Sequence, residues 1–88
     1  MRKIIPMGEF LRDVRKVERR GKKIAKLYYL AECLAKGERL AIKHRPHPLK
    51  GDWKPKWECH IEPDWLLVYE VTETSVKLIR TGTHSDLF

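Results

Sequence analysis

The sequence predicts an α+β fold: an N-terminal strand and a two-helix hairpin packed on an antiparallel sheet that closes in a three-strand C-terminal meander. Three observations carry this. Residues 8–36 place apolar side chains at helical spacing, residues 56–81 switch to strand-type alternation and β-branched runs, and the links inside each half are short. Short links join antiparallel neighbours, because a parallel return needs a crossover of a dozen residues or more.

Each element has its own signal. Residues 2–5 form a short strand stopped by Pro6 and Gly8. A first helix is expected over residues 8–20. Phe10, Val14 and Val17 recur at i, i+4 and i+7 with Leu11 beside them, and Arg12, Arg15, Lys16, Arg19 and Arg20 fill the rest of the circumference. Gly21 suits a left-handed cap. A second helix is expected over residues 22–36, where Ile24, Leu27, Tyr28, Ala31, Leu34 and Ala35 carry the period.

From residue 38 to 54 the pattern breaks, and Pro46 and Pro48 push their preceding residues into extended geometry. A loop of that length in a compact domain is commonly functional. Over residues 56–62, Trp57, Cys59 and Ile61 alternate with Glu58, His60 and Glu62. Residues 65–71 are apolar on both parities up to Glu70, as in a central strand covered on both sides, and residues 76–81 return as a third strand. The helices should cover one sheet face and leave the other for chemistry.

At 88 residues the chain is read as one domain, residues 1–88. No apolar run approaches the ~20 residues that cross a bilayer, so no membrane role and a cytoplasmic location are expected. Cys33 and Cys59 read as small buried apolar groups rather than a disulfide. Residues 1–45 hold 14 Lys/Arg against 5 Asp/Glu, whereas residues 46–88 hold 5 against 7. The basic excess therefore belongs to the helical half, a field suited to nucleic acid or another polyanion. Arg15, Arg19 and Lys23 are the residues expected to dock it on such a partner, with a steep salt dependence.

Three of the four histidines fall between His47 and Phe88, each near turn chemistry, together with Asp64, Arg80 and aromatic residues. Such a set suits RNA cleavage in which the 2′-hydroxyl attacks its own phosphate. That reaction needs a base for the hydroxyl, an acid for the 5′-oxygen and a cation for the phosphorane. Histidine, with an ordinary pKa of about 6.5, serves either proton step. Arginine holds two phosphate oxygens at once. Trp65 and Phe88 are candidates for stacking on an unpaired base.

From His47 onward the chain resembles the YafQ branch of the RelE/ParE superfamily of bacterial toxins. The matching segments are His47-Pro48-Leu49-Lys50-Gly51, His60-Ile61-Glu62-Pro63-Asp64-Trp65, Arg80-Thr81-Gly82-Thr83-His84 and the closing Leu87-Phe88. The resemblance implies a RelE-like fold and an mRNA interferase that cuts messenger RNA in the ribosomal A site and is held silent by a cognate antitoxin. It implies functional roles for His47, His60, Asp64, Trp65, Arg80, His84 and Phe88. In that frame His84 is the proton carrier closest to the chemistry, with His60 or Asp64 as its opposite number. Arg80 stabilises the phosphate, and His47 and Lys50 orient RNA. One departure stands out: relatives often carry a basic residue just before the acid of Glu58-Cys59-His60, where this chain has Trp57.

No cofactor and no metal are expected. A zinc set of His44, His47, Cys59 and His60 lacks the paired spacing of zinc motifs, and Cys59 should point away from His60. The weightier rivals are a non-catalytic ParE-like toxin and a nucleic-acid- or protein-binding module of the same fold. Phosphate binding alone, however, needs Lys and Arg rather than three histidines and an aspartate.

Overall fold

The computed structural model describes every residue, Met1–Phe88. Strand β1 (Lys3–Pro6) leads into helices α1 (Gly8–Arg19) and α2 (Ile24–Ala35). A long connection follows, with 3-10 turns at Ile42–His44 and Gly51–Trp53 and a two-residue strand β2 (His47–Pro48) between them. Strands β3 (Trp57–Glu62), β4 (Trp65–Val71) and β5 (Ser75–Gly82) then lead into a one-turn helix α3 (His84–Leu87). Both long helices lie within two residues of their expected bounds, and Gly21 ends the first with φ +90°. No helix is long and apolar enough to cross a membrane.

The five strands form one sheet in the order β1-β5-β4-β3-β2. The meander β3-β4-β5 is antiparallel, as its short links require, but β1 runs parallel to β5, so the sheet as a whole is mixed. Both long helices lie between β1 and β5 in sequence. That connection is a crossover, and it leaves β1 free to add in parallel.

Helices α1 and α2 cover one face. Phe10, Val17, Leu27, Leu30 and Ala31 pack there against Cys59, Ile61, Trp65, Leu67, Tyr69, Val76 and Leu78. The opposite face carries a smaller cluster of Leu66, Val68 and Leu87, with Leu49, Trp53 and Ile79 against it. The far face is therefore partly roofed by the 38–54 connection and α3. β4 reads as apolar on both parities because it is buried on both sides.

Two bulges change which residues share a face. The β3–β4 register shifts between His60 and Glu62, and the β4–β5 register between Val68 and Tyr69. A one-residue slip moves every later side chain to the other side of the sheet. Strict alternation puts Glu62 with Glu58 and His60. In the fold Glu62 instead pairs with Trp65 on the helix side, where Lys22 and Lys26 donate to it at 2.7 and 2.9 Å. The second bulge acts on Arg80, which by parity would follow Val76 and Leu78 toward the helices. It pairs instead with Val68 of the far face.

Candidate active site

The register lays the candidate residues across the sheet in two adjacent rows. His47 on β2 pairs with Glu58 on β3, Glu58 with Val68 on β4, and Val68 with Arg80 on β5. In the next row His60 pairs with Leu66, and Leu66 with Gly82. Cross-strand partners share a face, so His47, Glu58, His60 and Arg80 all leave the side away from the helices.

Gly82 turns the chain into α3. Its φ is +155°, and a Cβ there would stand 2.9 Å from Asp86 Cβ, so only glycine allows this close approach. Thr83 caps the helix: its hydroxyl accepts from the Asp86 amide at 3.1 Å while the Asp86 carboxylate accepts from the Thr83 amide at 2.9 Å. Arg20 donates twice to the same carboxylate, at 2.6 and 3.1 Å. Arg20, then the Thr83 amide, hold the Asp86 carboxyl well below its ordinary value. The turn that presents His84 is thus tied to the end of α1.

His84 and Asp64 meet above β4. His84 Nδ1 lies 3.0 Å from Asp64 Oδ1, and the His84 backbone amide donates to the same oxygen at 3.1 Å. The His84 side chain first, then its amide, lower the Asp64 pKa, so the carboxylate is charged and Nδ1 donates. The other ring nitrogen, Nε2, is left free. The His60 ring stands 5.9 Å from that of His84, centroid to centroid. His60 Nδ1 donates to the Pro63 carbonyl at 3.2 Å, which leaves its Nε2 with a free lone pair. Two imidazoles, each pinned through Nδ1, thus stand as neighbours at that separation.

Phe88 lies 6.5 Å from the His84 ring and 5.1 Å from Trp53, edge to face with the latter. Trp53 had no site role in the sequence reading, because nothing in a 3-10 turn of the long connection marks it as a neighbour of the chain's last residue. Glu58 was missed for a similar reason. It is 4% exposed and accepts from His47 Nε2 at 2.9 Å. The one available signal was its parity with His60.

Arg80 is held from the helical layer. Its Nε and one terminal nitrogen donate to Asp13 at 2.6 and 3.2 Å, while the other terminal nitrogen lies 3.6 Å from Glu9. Asp13 raises the guanidinium pKa further, and Arg80 is a permanent cation. Asp13 also accepts from the Thr81 amide at 3.1 Å. It does so because β1 pairs only with residues 75–78 of β5, so the strand edge beyond is open to α1.

Trp65 does not belong to this surface. It is 1% exposed within the helix-side core, and its Nε1 donates to Thr81 Oγ1 at 2.9 Å. Stacking on a base is closed to it, because β4 begins with this side chain turned into the helix-side core. Lys50 is exposed at the start of the second 3-10 turn, and Arg15, Arg19 and Lys23 are exposed on the helical layer.

Donor atoms of His47, Glu58 and His60 all lie within 4.8 Å of one another. Two imidazoles and a carboxylate at that separation fit a borderline transition ion such as Zn²⁺ or Cu²⁺. The set differs from the zinc ligands weighed from sequence. Cys59 is fully buried, with its thiol pushed up to about 12 by burial, and His44 Nδ1 is spent on the His60 carbonyl at 2.7 Å.

Comparison with known proteins agrees with this fold. The mRNA interferase toxin YafQ of Escherichia coli K12 is 39% identical over 82 residues, covering 92% of this chain and 89% of that one. A copper-bound mutant toxin from Helicobacter pylori superposes with a TM-score of 0.94 at 40% identity over the full length of both chains. The E. coli toxin in the DinJ-YafQ toxin-antitoxin complex superposes with a TM-score of 0.89 at 39% identity, covering 99% of this chain and 97% of that one. A family profile described as the YafQ toxin of bacterial type II toxin-antitoxin systems matches residues 2–88. With a family profile spanning residues 2–88 and 39% identity over 92% of its length, the chain belongs to the YafQ family of type II toxins.

Proposed function

We propose that the chain is a ribosome-dependent endoribonuclease that cuts messenger RNA and inhibits translation, the toxin of a type II pair silenced by a cognate antitoxin. The observation that carries this reading is the Asp64–His84 pair, 3.0 Å apart, with the His60 ring 5.9 Å beyond it. One imidazole takes the proton of the 2′-hydroxyl as O2′ bonds to phosphorus. The bond from phosphorus to O5′ breaks, and the other imidazole gives O5′ its proton. The products are a 2′,3′-cyclic phosphate and a 5′-hydroxyl end, and no metal is required. We assign His84 as the proton donor and His60, oriented by the Pro63 carbonyl, as the acceptor. Each positioned proton transfer is worth roughly 10²–10⁴-fold. Arg80 supplies charge to the phosphorane through the guanidinium nitrogen that Asp13 leaves free. Phe88 with Trp53 offers the base-stacking surface that Trp65 does not.

His47, Glu58 and His60 also fit a divalent transition ion, and a related H. pylori toxin is copper-bound. An ion held by these residues would supply positive charge beside the phosphate, and by taking the free nitrogen of His60 it would withdraw that imidazole from proton transfer. Calorimetric titration with Cu²⁺ should show one site that Glu58→Gln weakens; heat unaffected by that change sets the reading aside.

The deciding experiment adds the protein to a translation reaction and maps mRNA ends for wild type and His84→Gln. Cleavage by the wild type alone is expected. Stalled translation without cleavage would favour the non-catalytic, ParE-like alternative.

A further inference from the structure

Beside His60 is a groove of about 370 Å³, lined without His84, that the reaction above does not use. Lys26, Lys43 and Arg45 line it with His44, His60, Glu62 and Pro63, and Ile61 is its one apolar residue. Lys26 is committed to Glu62 at 2.9 Å. Lys43 and Arg45 are exposed, and neither has a carboxylate partner.

The groove is built rather than incidental. His44 Nδ1–H donates to the His60 carbonyl at 2.7 Å and so fastens the 3-10 turn Ile42–His44 to β3. Arg45 closes that turn with φ +45°, a left-handed backbone that a non-glycine residue seldom adopts. The strained turn sets Lys43 and Arg45 on either side of His44. Pro63, which lines the groove, also carries the carbonyl that orients the His60 ring. One wall of the groove is therefore the imidazole that we assign to the 2′-hydroxyl.

We propose that this groove is a phosphate-binding subsite, in which Lys43 and Arg45 hold the backbone of the RNA strand on the His60 side of the cleaved bond. The inference rests on the ribonuclease reading. The chemistry favours a nucleic-acid strand over an apolar protein segment: the lining is polar, its unpaired charges are cationic, and an arginine fork matches phosphate oxygens. It is also distinct from docking through Arg15, Arg19 and Lys23, which lie on the helical layer. Lys43 and Arg45 would bind the strand that is cut.

The test uses the full chain and two kinds of ribosome. One carries a message with a 2′-deoxy nucleotide at the cut position, so that it binds without reacting. The other carries a message truncated before the A site. For Lys43→Gln/Arg45→Gln, affinity for the first should fall about tenfold, with the salt slope shallower by about 0.7 per lost contact, while affinity for the second is unchanged. Equal losses on both would overturn the proposal in favour of ribosomal RNA. Weaker binding of a poly-glutamate peptide with both ribosome affinities intact would overturn it in favour of an acidic protein segment, and no change anywhere would overturn it outright. A wild-type protein that neither prefers the full message nor cuts its normal counterpart defeats the ribonuclease reading itself, a failure seen before any variant is made. Both positions are exposed, so equal thermal stability of variant and wild type is the expected control.

Discussion

Asp13 on α1 grips Arg80 on β5 through two bonds of 2.6 and 3.2 Å, and with the same carboxylate accepts the Thr81 amide at 3.1 Å. A helix from the basic half of the chain therefore fixes the cation of the half that carries the candidate site. The side chains are 24% and 13% exposed, so the pair is shielded from solvent more than an ordinary surface ion pair. The Asp13 carboxylate is fully used, and the one guanidinium nitrogen it leaves lies 3.6 Å from exposed Glu9, which a ligand would have to displace.

Asp13→Asn tests that grip. The amide keeps an oxygen for Thr81 but loses the charge that orients the guanidinium. A misplacement of this kind is expected to lower kcat on the order of 10²-fold, with KM much less affected. Single-turnover cleavage on programmed ribosomes separates the two constants. A kcat equal to wild type would show that Asp13 matters for folding alone.

The proton roles are separable with a substrate whose 5′-bridging oxygen is replaced by sulfur. A thiolate leaves without needing a proton. The sulfur substrate should therefore restore most of the 10²–10⁴-fold rate lost in His84→Gln, and little of that lost in His60→Gln. The reverse pattern would exchange the two assignments.

The aromatic residues should divide between fold and substrate. Trp65→Phe removes the bond to Thr81 and should cost about 1 kcal/mol of stability while leaving RNA affinity alone. Phe88→Ala should do the opposite and lose about 1–3 kcal/mol of binding, the worth of one stacked base. Denaturant melts and KM measurements on both variants check this. A raised KM in Trp65→Phe at unchanged stability would contradict the buried placement.

Acid should loosen the turn that carries His84. The Asp86 carboxyl is held below its ordinary value near 3.8 by Arg20 and the Thr83 amide, and Asp64 is lowered by His84. A carboxylate with a depressed folded-state pKa contributes stability that is full above the ordinary value and disappears as the pH falls through the folded one. Tm should accordingly drop as the pH goes below about 4, and Asp86→Asn should have a lower Tm at pH 7 but a shallower acid decline. Parallel curves for wild type and variant would rule this out.

Much of this architecture follows from local pattern. The apolar period of residues 8–36 places both helices within two residues of their bounds, because covering a sheet demands one continuous apolar side. The double-sided apolar run of β4 marks it as central. His84, Asp64, His60 and Phe88 were candidates by residue type near turns, and the fold gathers all four.

What local pattern cannot contain is register and long-range pairing. Two bulges send Glu62 to the helices and Arg80 to the far face, and a bulge depends on how two strands fit rather than on either alone. The Trp65 side chain turns into the core because the helical layer covers that side of the sheet, and Trp53 reaches Phe88 across 35 residues of sequence separation. Glu58 joins the site only once β2 brings His47 alongside β3. The sequence by itself determined the elements and the chemical vocabulary, since period and residue type are properties of neighbours along the chain. Only the tertiary structure decided which face each group occupies and which partner holds it, since those depend on contacts between residues far apart in sequence.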